Sequence, residues 1–271
     1  MMLDPRFDGK MQKAGEHPEI NTISYGGGTN STAMLVGMWE RGIRPDYITF
    51  ADTGGEKPNT YSHIEQMQKW LSERAFPEIK TVFKVYQNGE RDLLEGQCLK
   101  QKTLPSIVYG FKACSARYKI APQDKYFNSL PEIQAHWKKG GKVTKWIGYD
   151  TGESHRVKVD RTDDKYDFYH PLVEWGWDRD DCIAAIERAG LKQPGKSSCF
   201  FCPSMKYNEI RELAAVYPEL AARAVEMEKN AAENMTHIKG LGRTFSWENV
   251  IATDDMFPNN YIELSCGCYD G

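Results

Sequence analysis

A chain of 271 residues with 40% hydrophobic and 12% aromatic content can bury a substantial core, as one domain or as one domain with an appendage. Its formal charge of -3 and pI near 6.1 give no overall pull toward nucleic acid, and no stretch approaches the roughly 18 apolar residues of a membrane span. Seven cysteines cannot all pair, and the polar stretch Met1 to His17 lacks a signal-type apolar run. The expectation is therefore a reduced, cytoplasmic chain in which metal binding or thiol chemistry accounts for cysteine.

In chain order, the apolar run Ile20 to Tyr25 predicts a strand. Ser24-Tyr25-Gly26-Gly27-Gly28-Thr29-Asn30-Ser31-Thr32 then leads into a helix over Ser31 to Arg41. Three consecutive glycines let several backbone N–H groups converge on one object, and Ser31 and Thr32 bring hydroxyls to the helix start. An anion, phosphate or sulfate, suits the orphan amides and the positive end of the helix dipole. Tyr47 to Ala51 reads as a strand, Asn59 to Arg74 as a helix and Lys80 to Tyr86 as a strand, the alternation of a parallel sheet with crossover helices. Ligands of such sheets lie beyond the carboxyl ends of the strands, so the glycine turn and Asp52-Thr53-Gly54 are expected to face one pocket.

Between Asn88 and Pro122 the pattern is interrupted by Gly89, Gly96, Pro105 and Gly110, which predicts a mostly irregular insertion carrying Cys98 and Cys114. Lys138, Lys139, Lys142 and Lys145 form a basic stretch that reads as a solvated loop or a nucleic-acid contact. Val143 to Tyr149 predicts another strand, and Asp178 to Ala189 a capped helix with Cys182 on its apolar face. Tyr207 to about Asn234 is helical, broken at Pro218, and the chain then reaches Cys266-Gly267-Cys268. The expected fold is α/β: a Rossmann-like parallel sheet of about five strands with helices on both faces over residues 18–175. An α-helical C-terminal region over residues 176–271 carries CxxC and CxC.

Three segments together resemble a family. Ser24 to Thr32 is similar to the PP-loop of the ATP-pyrophosphatase superfamily, and Asp52-Thr53-Gly54 with Glu56, Pro58 and Thr60 to a block of its phosphoadenosine phosphosulfate (PAPS) reductases. Gly148-Tyr149-Asp150-Thr151-Gly152-Glu153-Ser154-His155-Arg156 resembles their third block, and Pro171-Leu172 before Trp175 the segment after it. The resemblance implies an adenine-nucleotide site: Ser24, Gly26, Gly27, Gly28, Thr29, Asn30, Ser31 and Thr32 around the phosphate or sulfate end, Thr53 and Gly54 at the nucleotide edge, Gly148 beside it. Asp52 would stand at the mouth, and Arg156 could pair with phosphate oxygens in a fork geometry. Magnesium would accompany the phosphates of ATP. The chain departs from the family at Thr29 and Asn30, where many members carry lysine and aspartate, so the loop lacks both an ammonium and a charged magnesium partner.

Cys199-Phe200-Phe201-Cys202-Pro203 could be half of a zinc knuckle, half of an iron–sulfur site, a redox dithiol or two buried thiols. The resemblance implies a 4Fe-4S cluster held by Cys114, Cys199 and Cys202, with Ser115 where relatives carry a second adjacent cysteine. A fourth ligand would come from Cys266 or Cys268, or one iron would stay open to carry sulfide. Zinc is the alternative, since both favour thiolates. Cys182 reads as a core residue, and Cys98 has no partner at ligand spacing. Glu263-Leu264-Ser265-Cys266-Gly267 is similar to the segment that carries the nucleophile of PAPS reductases, which would need a nearby cation such as Arg156 or Lys119. His155 and His170 adjoin the matched blocks and could donate protons.

Three functions follow as expectations. The first is sulfur transfer after ATP-dependent adenylation of a tRNA, DNA or small-molecule acceptor, served by a sulfur donor protein. The second is reduction of adenylyl sulfate or PAPS through Cys266, served by a reductant protein. The third is a non-catalytic nucleotide- or nucleic-acid-binding module with structural zinc.

Overall fold

In the computed structural model the described residues are 19–157 and 163–253. Five strands, β1 (Ile20–Ser24), β2 (Tyr47–Ala51), β3 (Ile79–Val82), β4 (Val143–Trp146) and β5 (Tyr166–Tyr169), form one sheet in the order β3-β2-β1-β4-β5. Every neighbouring pair is parallel, with Thr22 opposite Tyr47 and Ile20 opposite Val143. Strand order reverses at β1, so the crevice beyond the ends of β1 and β4 is the switch point where an open α/β sheet binds ligands. The edge strands β3 and β5 are only four residues long and expose Lys80, Thr81 and Asp167, which discourages further pairing.

Helices α1 (Thr29–Glu40) and α2 (Pro58–Ser72) connect the first three strands. The expected irregular insertion is instead largely helical. It holds α3 (Leu94–Gln101), a short α4 (Ala113–Ser115) continuing through a π-helical turn at Ala116–Ile120, and α5 (Ala121–Ser129), followed by α6 (Pro131–Lys138). Gly96 is tolerated inside α3 because Leu94 and Cys98 anchor the helix in the core, a tertiary gain that outweighs the glycine cost of about 1 kcal/mol. After β5 come α7 (Pro171–Glu174), α8 (Arg179–Arg188), α9 (Tyr207–Val216), α10 (Pro218–Ala231) and α11 (Trp247–Ala252). Asp178 caps α8 by accepting from the amides of Asp180 and Asp181, as its sequence pattern predicts.

One face of the sheet packs Met34, Leu35 and Met38 of α1, Met67 and Leu71 of α2, and Cys182 and Ile186 of α8 against Ile23, Ile48 and Trp146. The other face packs Phe127 of α5 and Ile133 of α6 against Val143 and Tyr166. A second large core joins Leu94 and Cys98 to Phe200, Phe201, Met205 and the buried faces of α9, α10 and α11. In that core Glu228 on α10 is 4% exposed, and its carboxylate accepts from the amides of Leu241 and Trp247, so it caps α11 from another helix.

Lys145 corrects the reading of the basic stretch. It lies on β4, buried, with its ammonium 2.5 Å from Asp124 Oδ1 and 3.7 Å from the Tyr166 ring centre. Cys266 and Cys268 lie outside the described residues. Among the described residues no helix is long and apolar enough to cross a membrane.

Candidate functional site

The glycine turn ends β1 and starts α1 at the switch point. Gly27 has φ +74°, a conformation that side chains other than glycine adopt only under strain, and Gly28 occupies the N-cap with no side chain capping the helix. The first amides of α1 are therefore left to the backbone and to any anion that arrives. From β4, Gly148 passes so close to the helix start that a side-chain carbon there would lie 3.1 Å from the Ser31 amide nitrogen and 3.2 Å from the Asn30 carbonyl.

The side chains of the loop are committed inward. Ser31 Oγ donates to the Gly28 carbonyl at 3.2 Å, and Thr32 Oγ1 lies 3.0 Å from both Tyr25 Oη and His63 Nε2. Burial pushes the His63 ring down to about 4, so it is neutral at physiological pH. Burial also raises the Tyr25 phenol, keeping it protonated. Asn30 is held on both ends: its amide donates to Asp150 Oδ2 at 3.0 Å and Glu153 Oε2 at 2.9 Å, and its carbonyl accepts from Arg179 at 3.1 Å. His63 and Arg179 carry no motif, and these contacts, 31 and 149 positions apart in sequence, gave no local signal.

Asp52 and Arg156 are anchored as well. Asp52 Oδ1 accepts from the Gly54 amide at 2.7 Å and Tyr61 Oη at 2.9 Å, and Arg91 approaches Oδ2 at 3.8 Å. Arg156 ends a 3₁₀ turn (Thr151–Arg156) capped by Asp150; it pairs with Glu153 and lies 4.2 Å from the Tyr149 ring centre. His170 is buried and stacks on the Tyr149 ring at 5.4 Å between ring centres, whereas His155 is exposed.

The CxxC segment is stitched to the second block. Phe200 donates its amide to the Gly55 carbonyl at 2.7 Å, and Glu56 and Cys199 form an isolated antiparallel bridge. Thr53 Oγ1 lies 3.0 Å from Cys199 Sγ, and Ser204 Oγ lies 3.0 Å from Cys202 Sγ. A cavity of about 490 Å3, counting its open mouth, is lined by Cys114, Cys199 and Cys202, by Thr53, Ser115, Ser197, Ser198 and Lys119, and by apolar walls. Ser197 borders both sites, since a side-chain carbon on Gly28 would lie 3.2 Å from its Oγ. Lys119 is buried with its ammonium 3.7 Å from Glu56 Oε1.

The donor chemistry bears on what the cavity can hold. Among the described residues Cys98, Cys114, Cys182, Cys199 and Cys202 form no disulfide, and burial pushes the Cys98, Cys182 and Cys199 thiols up to about 12. Cys182 is core, as its helix face predicts. Among the described residues no three His, Cys, Asp or Glu side chains stand close enough to close around one ion. The three thiols that line this one cavity are soft donors, the ligand type that thiolate-bound metal groups take. Among the described residues the hydroxyls of Ser115 and Ser198 have no hydrogen-bond partner, and the sulfur atoms of a thiolate-bound group could accept from them.

No protein-family model matches the chain, and no curated protein matches it. Among solved structures it is similar to the U34-tRNA thiolase NcsA from Methanococcus maripaludis with its 4Fe-4S cluster, at 15% identity and a TM-score of 0.43, over 88% of this chain and 82% of that one.

Proposed function

We propose that the chain is a PP-loop enzyme, similar to the PAPS reductase-like family, that binds an adenine nucleotide and transfers sulfur to an acceptor it first adenylates with ATP. The observation that carries this reading is Ser197, which lines the three-thiol cavity and also borders Gly28 of the glycine loop. A nucleotide lying on the loop would thus border whatever the cysteines hold. Cys114, Cys199 and Cys202 would hold a 4Fe-4S cluster, which when bound supplies sulfide carriage or electron transfer.

The chain's own residues do the rest. Backbone amides from Gly26 to Asn30 hold the anionic end and stabilise charge on departing pyrophosphate, in the manner of an oxyanion hole. Thr53 and Gly54 line the nucleotide edge, with Asp52 fixing the turn through the Gly54 amide. Arg156 reaches a phosphate by exchanging Glu153 for it. A tRNA or DNA acceptor fits this chemistry, with a separate protein delivering sulfur.

The test is anaerobic purification of the full chain, with iron and sulfide analysis and assay of pyrophosphate release from ATP in the presence of tRNA or DNA. Bound iron and acceptor-dependent pyrophosphate support the reading. Sulfite release from adenylyl sulfate or PAPS, abolished by Cys266→Ala, would favour reduction instead. One observation favours a non-catalytic module with structural zinc: Asn30 is saturated by Asp150, Glu153 and Arg179 and offers nothing to a metal–nucleotide complex. Stoichiometric zinc without pyrophosphate release would establish that module.

A further inference from the structure

The hydroxyls around the three thiols include two kinds. Thr53 and Ser204 direct theirs to the sulfurs of Cys199 and Cys202 at 3.0 Å. Ser115 and Ser198 line the same cavity, each 5% exposed, and neither hydroxyl has a hydrogen-bond partner among the described residues. Each is the immediate chain neighbour of a cavity thiol, Ser115 following Cys114 and Ser198 preceding Cys199.

A buried hydroxyl without a partner destabilises the fold that carries it, and native structures hold few of them. Two beside one cavity, among Leu94, Pro105, Ile107, Phe201 and Pro203, need a common acceptor. Lys119 is a less available donor there, because Glu56 balances its charge. We infer that the Ser115 and Ser198 hydroxyls donate hydrogen bonds to sulfur atoms of the group that Cys114, Cys199 and Cys202 hold, and that they set its reduction potential. The inference rests on the cluster reading given under Proposed function.

Hydrogen bonds to sulfur favour the more negative, reduced form of an iron–sulfur centre. Removing them lowers its midpoint potential. The experiment is a spectroelectrochemical titration of the anaerobically purified full chain, alongside Ser115→Ala, Ser198→Ala and the double variant, with iron and sulfide measured in each. The expected result is unchanged iron content with a more negative midpoint in both single variants and the most negative in the double. Unchanged iron with an unchanged midpoint overturns the inference while leaving the cluster reading intact, and an ordered water as partner would give that result. Iron-free wild-type protein overturns the cluster reading and this inference with it. Should Ser115→Ala lose iron, Ser115→Thr decides: recovery of iron and midpoint supports the hydroxyl's role, and failure to recover overturns it.

Discussion

Around the glycine loop, the buried side chains of Asn30, Ser31, Thr32 and Asp52 all have partners, whereas around the three thiols the hydroxyls of Ser115 and Ser198 have none among the described residues. The crevice is held in shape by its own side chains, leaving backbone amides to meet a ligand. The cavity keeps side-chain donors uncommitted. Ligand binding should therefore change the crevice little and stabilise the cavity strongly, because a group that binds only the folded chain adds its binding free energy to stability.

The sharpest way to break the contrast is Gly148→Val. It drives a branched side chain into the first turn of α1, and overpacking of this kind costs about 3 kcal/mol. Urea unfolding should show the loss and nucleotide titration a collapse of affinity, with iron content preserved; unaltered ATP binding would mean that the close approach is dispensable. Asn30→Leu should cost about 2 kcal/mol in the same melts, because Asp150, Glu153 and Arg179 each lose a partner.

The cavity should respond in the opposite direction. In protein stripped of metal, Ser115→Ala removes an unsatisfied hydroxyl and should raise stability by about 1 kcal/mol. A loss of stability in that variant would reveal a hydroxyl already satisfied.

The last effect is absent at pH 7 and grows on acidification. His63 titrates at about 4 in the folded chain against an ordinary value of 6.5, so below pH 6.5 the unfolded chain binds a proton that the folded chain does not. Stability contributed by the neutral ring is fully present above pH 6.5 and is lost as pH falls toward 4. His63→Gln should flatten that slope in unfolding measured from pH 7 to pH 4; an unchanged slope would place its origin elsewhere.

Much of the sheet was legible in the sequence, because β1, β2 and the glycine turn are bounded by apolar runs and local breakers that need no tertiary context. β5 was not, since Tyr166-Asp167-Phe168-Tyr169 is a four-residue edge strand with too little alternation to be recognised. The helices at Leu94–Gln101 and Ala113–Ser115 were hidden by Gly96, Pro105 and Gly110, and packing against Phe200 and Phe201 overrides those breakers. Cys114, Cys199 and Cys202 line one cavity. Cys98 packs in the same apolar core beside Cys114, a proximity that its sequence position did not disclose. The partners of Asn30 and the contact between Thr53 and Cys199 depend on chain folding over long range, which no local pattern encodes.

That last contact also orders events in time. Thr53 and Cys199 are 146 positions apart, and at ribosomal rates of about 5–20 residues per second the second follows the first by roughly 10 to 30 s. During that interval the nascent chain can form β1, α1 and β2, but it offers only Cys114 of the three cavity thiols. Closure of the three-thiol cavity is therefore a late act in biogenesis, completed after the glycine-loop half has had time to fold.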